Sequence, residues 1–223
     1  MANNMETTPY ILTEFKAFTT RTKIADVKLL FNETTYSHFP VVEEGHLLGL
    51  ISEIDIRTIF EDEKELGNFQ YLYQYFFTEA DNNLLEILKI FAANETNVIP
   101  VTNDKNEYKG YCDLIDILHV YNNTPFLKNE GTVLGIEKNV SEFSFSEICQ
   151  IIESNDGKML GIFISETDNA TVKITLKFYS QEINKIIQSF RRYNYKVLSK
   201  HKEDFYLEDL KERSIYLQKY LNI

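Results

Sequence analysis

Residues 38–42 (HFPVV) and residues 98–102 (VIPVT) are two β-rich runs, 60 positions apart, that share a proline in the middle. A glycine-led segment follows each run, GLISEID at residues 49–55 and GYCDLID at residues 110–116, and these segments are 61 positions apart. The additional position lies in the polar loop before the segment, which is one residue longer in the second copy. Such self-similarity indicates a repeated structural unit.

Helices are predicted on both sides of each copy. Residues 24–31 (IADVKLLF) and residues 84–91 (LLEILKIF) place apolar residues at their first, fourth and eighth positions, which form one face of a helix. A second helix is predicted over about Ile54–Phe60 in one copy and Leu114–Tyr121 in the other. A two-stranded hairpin with two helices is too small to be stable alone. We therefore expect the two copies to pack together as a pseudo-twofold pair.

The composition predicts an ordered protein with two differently charged parts. The chain has 223 residues, of which 43% are hydrophobic and 13% aromatic, enough to bury a core. Residues 1–125 carry 9 Lys and Arg against 20 Asp and Glu, a net charge of −11, whereas residues 126–223 carry 14 of each. This asymmetry places a domain boundary near Pro125. Because nucleic-acid binding is driven by phosphate neutralisation, we expect no nucleic-acid partner.

The same composition predicts a cytoplasmic protein. No apolar run is long enough to span a membrane, and the polar first eight residues do not form a signal peptide, so we expect no membrane partner. The two cysteines, Cys112 and Cys149, show no pairing pattern, which fits a reducing compartment.

The repeat resembles a tandem pair of CBS domains, a Bateman module. The matching residues are 39–42 with 49–57 and 99–101 with 110–116. The resemblance covers residues 9–124 and implies an α+β fold of two β-α-β-β-α units, with domain 1 at residues 9–65 and a linker and domain 2 at residues 66–124. It also implies an adenosine-type ligand, such as AMP, ADP, ATP or another adenosyl compound, in one or both of two clefts.

Ser52 and Asp55 match the family pattern of Gly, apolar, x, Ser/Thr, x, x, Asp. The resemblance implies that the hydroxyl meets a phosphate at the start of a helix and that the carboxylate accepts both ribose hydroxyls. The alternative interpretation is structural: Ser52 caps the helix, and Asp55 is a first-turn acid favoured by the helix dipole. The sequence leaves both interpretations open.

The second copy departs from that pattern. Asp116 keeps the ribose-type position, but Asp113 replaces the Ser/Thr. A carboxylate repels a phosphate strongly in a cleft of low dielectric constant. We therefore expect this site to bind a ligand without a phosphate at that point, a cation-bridged ligand, or nothing. The alternative is again a helix cap.

The resemblance implies further residues around the ligand, each with an ordinary structural alternative. The polar candidates are Thr20, Thr22 and Thr78, and Arg57 is placed to reach a phosphate; its alternative is a surface arginine paired with the acidic run 61–65. Four apolar residues are candidates to form walls around the adenine base: Phe39, Pro40, Ile99 and Pro100. The alternative interpretation is that they are ordinary core residues of the strands. Residues 66–77 form a segment rich in aromatic side chains. This segment is predicted to be either a ligand platform or a linker helix that covers apolar surface or a dimer contact.

Residues 129–200 predict the order βαββαβ, which is the ferredoxin-like arrangement. The predicted strands are residues 132–137, 158–165, 171–178 and 195–199, and the predicted helices are residues 145–153 and a segment from Ser180, as N-cap, to Arg192. This order resembles an ACT domain, a module often used to sense amino acids at a dimer interface. The loop 138–144 lacks the glycine that is usual in amino-acid-binding members, so we expect dimerisation or partner contact instead. A final helix is predicted within residues 203–223.

A CBS pair followed by an ACT-like domain resembles the bacterial acetoin-utilisation accessory proteins in architecture. The histidines show no metal-ligand spacing, and the chain has neither a Gly-rich phosphate loop nor a nucleophile elbow, so we expect no enzyme and no metal site. The predicted function is a regulatory sensor that binds an adenosine-type ligand and relays its occupancy through the packing of a homodimer, with an unidentified protein partner. The alternatives are a ligand-free scaffold and an amino-acid sensor that uses the ACT-like domain.

Overall fold

A computed structural model describes residues 7–198 and 206–221. The chain divides into two compact units at Tyr121 and Asn122. The first unit contains both sequence repeats, and the second contains the βαββαβ segment. Residues 203–205 and 222–223 of the segment predicted to hold the final helix lie outside the described residues, and the helix is described from Tyr206 to Leu221.

The two repeats of the first unit fold alike. The first repeat contains α1 (Ile24–Glu33), β1 (His38–Glu43), β2 (His46–Ser52) and α2 (Glu53–Arg57). The second contains β3 (Thr78–Glu79), α3 (Leu84–Ala93), β4 (Val98–Thr102), β5 (Tyr108–Asp113) and α4 (Leu114–Asn122). The apolar faces predicted for α1 and α3 are confirmed, because their six residues are at most 3% exposed. Of the two predictions for the linker, a ligand platform or a helix, the structure shows a helix of the 3₁₀ type over Leu66–Leu72.

Helix α2 is shorter than the predicted helix over residues 54–60. It ends at Arg57, and the next residue, Thr58, directs both its backbone N–H and its hydroxyl to the carbonyl oxygen of Asp55. A side chain that bonds to the backbone in this way competes with continuation of the helix.

The two hairpins are interlocked by segments that cross between the repeats. Leu12, which precedes the first repeat, exchanges two backbone hydrogen bonds with Tyr111 in β5 of the second. Gln74, which precedes the second repeat, exchanges two with Leu50 in β2 of the first. We call these two stretches, residues 10–12 and residues 73–75, the crossing segments. On its other side, each hairpin pairs in parallel with the chain before its helix, at Phe18 in the first repeat and at β3 in the second.

Two equivalent glycines make room for the crossing segments. Gly49 and Gly110 have φ of +152° and +141°, which L side chains rarely adopt. A Cβ at Gly49 would lie 2.9 Å from the carbonyl oxygen of Gln74, and one at Gly110 would overlap the carbonyl oxygen of Leu12. The close approach of each crossing segment therefore requires glycine.

Each hairpin has its own core. Phe39 is fully buried, and its ring meets those of Phe15, Phe18, Phe31 and Tyr36 at centroid distances of 4.9–5.7 Å. The second core surrounds Ile99 and Cys112, and burial raises the pKa of the Cys112 thiol to about 12.

The second unit has the predicted ferredoxin-like topology. After a short helix α5 (Pro125–Lys128), its elements are β6 (Thr132–Asn139), α6 (Phe145–Glu153), β7 (Lys158–Thr167), β8 (Thr171–Tyr179), α7 (Ile183–Arg192) and β9 (Lys196–Val197), followed by α8 (Tyr206–Leu221). The antiparallel sheet has the order β7-β8-β6-β9, and α6 and α7 bury isoleucines within the same core as β6 and β8.

Two predicted details of this unit differ from the structure. Ser180 does not cap α7: its hydroxyl accepts a hydrogen bond from the N–H of Glu182, 3.0 Å away, and closes a turn before the helix begins at Ile183. Within the described residues the last strand is Lys196–Val197, which pairs with Ile136 and Glu137 of β6, and the N–H of Leu198 donates to the carbonyl oxygen of Gly135 at 2.8 Å. Ser199 of the predicted strand lies outside the described residues.

A partly buried ion pair in the second unit predicts acid sensitivity. Lys138 is 8% exposed in its side chain and bonds to Glu147 at 2.7 Å, and the hydroxyl of Tyr195 donates to the same oxygen. The hydrogen bonds from Lys138 and Tyr195 hold the pKa of Glu147 below its ordinary value of 4.5. The stabilisation is therefore fully present above the unfolded-state pKa and is lost as the pH falls through the folded-state pKa.

We expect Glu147→Gln to lower the free energy of unfolding at neutral pH by about 1 kcal/mol, since water reaches the pair and weakens it. The variant should also lose less stability than the parent between about pH 6 and about pH 3 in urea unfolding. The matched control is Glu142→Gln, an exposed glutamate of the same unit. An equal pH response in the parent and both variants would contradict the assignment.

Candidate functional site

A cleft of about 480 Å³ opens beside Asp55, and both repeats line it. The first repeat contributes Ser37 and His38 at the start of β1, together with the junction of β2 and α2 at Ser52. A crossing segment contributes Gln74, and the second repeat contributes the end of α3 and the two residues after it. We call this space the Asp55 cleft. The two repeats meet at its base, where the N–H of Ser37 donates to the Asn97 side chain at 2.8 Å.

The Asp55 carboxylate is held on one of its two oxygens. Ser52 is the N-cap of α2: its hydroxyl oxygen accepts from the N–H of Asp55 at 3.0 Å, and its hydroxyl donates to Oδ2 of Asp55 at 2.6 Å. The amide of Gln74 donates to the same Oδ2 at 3.2 Å. Within the described part of the chain, no donor bonds to Oδ1. The carboxylate is thus oriented in a half-buried position with one oxygen left to accept hydrogen bonds.

His38 is a neutral wall of this cleft. It is 6% exposed, its Nδ1 lies 2.9 Å from the hydroxyl of Ser37, and its ring meets the edge of Phe76. Burial lowers the pKa of His38, while the interaction with Gln74 and the negative charge of Asp55 act in the opposite direction. The imidazole therefore contributes a hydrogen-bonding group without a positive charge at neutral pH.

The comparison with known families identifies the first unit. Residues 10–62 and 74–123 match the model of the CBS domain. The first unit is a tandem pair of CBS domains. Each matched range covers one repeat and reaches into the crossing segment before it, and the Asp55 cleft lies between the first CBS domain and the second.

Several known proteins are similar to part of this chain. An uncharacterised protein of Methanocaldococcus jannaschii is 28% identical over 95 residues, which are 43% of this chain and 36% of that protein, so the chain spans about a third of its relative's length. A CBS domain pair/ACT domain protein of Thermotoga maritima is 18% identical with a TM-score of 0.47, covering 52% of this chain and 96% of that one.

Two further solved structures contain nucleotides. The cytosolic domain of the Mg²⁺ channel MgtE in complex with ATP is 18% identical with a TM-score of 0.45, covering 53% of this chain and 49% of that one. The protein CBSX2 in complex with AMP is 14% identical with a TM-score of 0.45, covering 52% of this chain and 96% of that one.

In the second CBS domain, the equivalent residues form a helix cap. Oδ1 of Asp113 accepts hydrogen bonds from the N–H groups of Ile115, at 2.6 Å, and Asp116, at 3.3 Å. This is the structural alternative stated for Asp113. Asp116 is exposed at the start of α4, and its role toward a ligand stays a prediction.

The predicted threonines lie away from the Asp55 cleft. The hydroxyl of Thr20 donates to Glu43 at 2.5 Å, at the end of β1 opposite to Ser52, and Thr22 bonds to Thr19 beside it. Thr78 pairs with Val101 toward the corresponding end of β4. The structure thus does not bring these three side chains together with Asp55. The predicted wall residues are all buried within the hairpins rather than among the residues lining that cleft: Phe39, Pro40, Ile99 and Pro100.

Arg57 is a surface residue with a different partner from the predicted acidic run. Its guanidinium bonds to Glu53 on the preceding turn of α2, because the i, i+4 spacing brings the two side chains together, and to Asn32 of α1. It borders a separate groove between α1 and α2.

We expect Arg57→Ala to change the affinity for adenosine less than about twofold, as measured by calorimetry. A loss of affinity of more than about tenfold would contradict this and indicate that Arg57 contacts the ligand.

Of the ten residues that line this cleft, sequence reasoning identified only Ser52 and Asp55; the polar residues it missed include His38, Gln74 and Glu95. Gln74 arrives through a crossing segment, and no local pattern around it indicates that path. The available signal was Gly49, whose place in a β-rich segment is typical of a close approach by another backbone.

Among the residues that the structure describes, no group of three or more His, Cys, Asp or Glu side chains is placed to hold a metal ion. Within the same residues, no helix has the length and apolar character required to cross a membrane.

Proposed function

We propose that the CBS pair binds an adenosine-type ligand in the Asp55 cleft and that the protein acts as a regulatory sensor. The observation that carries this proposal is the Asp55 carboxylate, oriented by Ser52 and Gln74 with one oxygen free, at the edge of a cleft that both domains line. A carboxylate in this position can accept the two hydroxyls of a ribose. The volume of about 480 Å³ lies within the range of small-ligand pockets.

The position of the cleft suggests how occupancy would be relayed. A ligand there touches α2 of the first CBS domain and the end of α3 of the second, so it favours those arrangements of the two domains that contact it on both sides. Helices α2 and α3 would carry the difference to a second copy or another protein. The candidate ligands are AMP, ADP, ATP and other adenosyl compounds, and the homodimer and the ACT-like role of the second unit belong to the same proposal.

The test is a titration of the full chain with adenosine, AMP, ADP and ATP, followed by thermal unfolding and calorimetry. A ligand at about 100 times its dissociation constant stabilises the folded state by about 2.7 kcal/mol, which shifts the unfolding temperature by several degrees. Mass spectrometry of the denatured supernatant serves as the control for a ligand that is carried through purification. No shift with any compound, together with a clean supernatant, would contradict the proposal and favour a ligand-free scaffold.

A further inference from the structure

The charged side chains that line the Asp55 cleft are all acidic. The ten lining residues include Glu53, Asp55 and Glu95 and no lysine or arginine. His38 adds no positive charge, since burial lowers its pKa. The surrounding chain reinforces this, because residues 1–125 carry a net charge of −11 from 9 basic and 20 acidic side chains.

Nearby basic side chains offset only one of these charges, that of Glu53, which pairs with Arg57. The guanidinium of Arg57 is bonded to Glu53 and Asn32 and borders the groove on the other side of α2. Lys89 is exposed on α3, one turn before the end that lines the cleft, and is not among the lining residues.

Two of the backbone donors at the start of α2 are also occupied. The N–H of Glu53 donates to the carbonyl oxygen of Ser37 at 2.9 Å, and the N–H of Asp55 donates to Ser52. These groups cannot be offered to a phosphate without breaking the cap of the helix. A phosphate would therefore meet carboxylates with neither a cation nor these amide donors to compensate.

We propose that the Asp55 cleft selects adenosine-type nucleosides whose 5′ substituent is neutral or positively charged, and that it discriminates against nucleotides without a bound cation. This inference rests on the proposed function. The ribose is held by Asp55 in either case. Asp55 and Glu95, the two lining carboxylates that Arg57 does not pair, then attract a positive substituent and repel a phosphate, and the acidic surface adds to this preference at long range.

The experiment compares three ligands that share the nucleoside and differ at the 5′ position: 5′-amino-5′-deoxyadenosine, adenosine and AMP. The full chain is titrated by calorimetry at low ionic strength with EDTA present. We expect affinity to fall in that order, with the amine binding about tenfold or more tightly than AMP. Added salt should narrow the difference, because it screens the charges.

A pair of variants tests whether the lining carboxylates are responsible. Glu95→Gln keeps the size of a residue in the left-handed region (φ +48°) and removes one charge, so it should weaken the amine and strengthen AMP, each by about threefold. The matched control is Glu44→Gln, an exposed glutamate with φ +49° in the β1–β2 turn, which does not line the cleft and should change neither affinity.

The outcomes separate this inference from the function on which it rests. If AMP binds as tightly as the amine or more tightly, the charge selection is wrong while the adenosine site stands. If none of the three ligands binds, the proposed function itself fails. If the order holds but Glu44→Gln changes it as much as Glu95→Gln does, the selection comes from the general surface charge, and its assignment to the cleft is overturned.

Discussion

Asp55→Asn is expected to lower the affinity of the chain for adenosine by about a hundredfold. The carboxylate has one oxygen fixed by Ser52 and Gln74 and the other free, so a ribose can form two charge-assisted hydrogen bonds with it. Asparagine removes the charge and offers a donor in place of one acceptor. A loss of about 2.7 kcal/mol, which corresponds to a hundredfold in the dissociation constant, is the size expected for two such bonds.

The control is Asp116→Asn, because Asp116 occupies the equivalent position in the second CBS domain. We expect calorimetry to show the loss in the Asp55 variant alone if the Asp55 cleft is the binding site. The unfolding temperatures of the unliganded variants should stay within a few degrees of the parent, which excludes unfolding as the cause. Equal affinities in the parent and Asp55→Asn would refute the assigned role, and a loss confined to Asp116→Asn would move the site to the second cleft.

The largest effect on stability is expected for Gly110→Ala. The added Cβ would overlap the carbonyl oxygen of Leu12, and the backbone at φ +141° is itself unfavourable for alanine. Relief requires the crossing segment to move away from β5 and to lose both of its hydrogen bonds to Tyr111. We expect the free energy of unfolding in urea to fall by about 3 kcal/mol or more.

Gly45→Ala provides the matched control for this substitution. Gly45 also has a positive φ, +84°, but an added Cβ there has no heavy atom within 4 Å. Its replacement should cost about 1 kcal/mol, which is the conformational term alone. Similar losses in the two variants would mean that the crossing segment does not press against β5 as described.

The local structure could be predicted from the sequence because the same pattern of residues occurs in both repeats. The spacing of Ile24, Val27 and Phe31 recurs at an offset of 60 residues, and both sets are buried as predicted. The cap of α2 followed from Ser52 and that of α4 from Asp113, since short polar side chains before an apolar run satisfy free N–H groups.

The composition of the cleft could not be predicted in the same way. Gln74 reaches Asp55 only because a crossing segment pairs with β2, and a pairing between Leu50 and Gln74 depends on tertiary structure rather than on local preference. For the same reason, threonines near the helix starts were expected at the ligand site, whereas Thr20 lies at the far end of β1. Sequence patterns identify the elements, but the identity of a neighbour across two chain segments is set by packing.

The exchange of crossing segments also bears on how the chain is synthesised. Leu12 pairs with Tyr111, a residue that leaves the ribosome about a hundred positions later, and at about 5–20 residues per second this delay amounts to some 5–20 s. The first hairpin lacks Gln74 at its edge for the earlier part of that time, and it lacks the second core that receives Leu50 until the second domain has been synthesised. The first domain is therefore incomplete on its own while the rest of the pair is being translated, and both domains reach their final form in one late step.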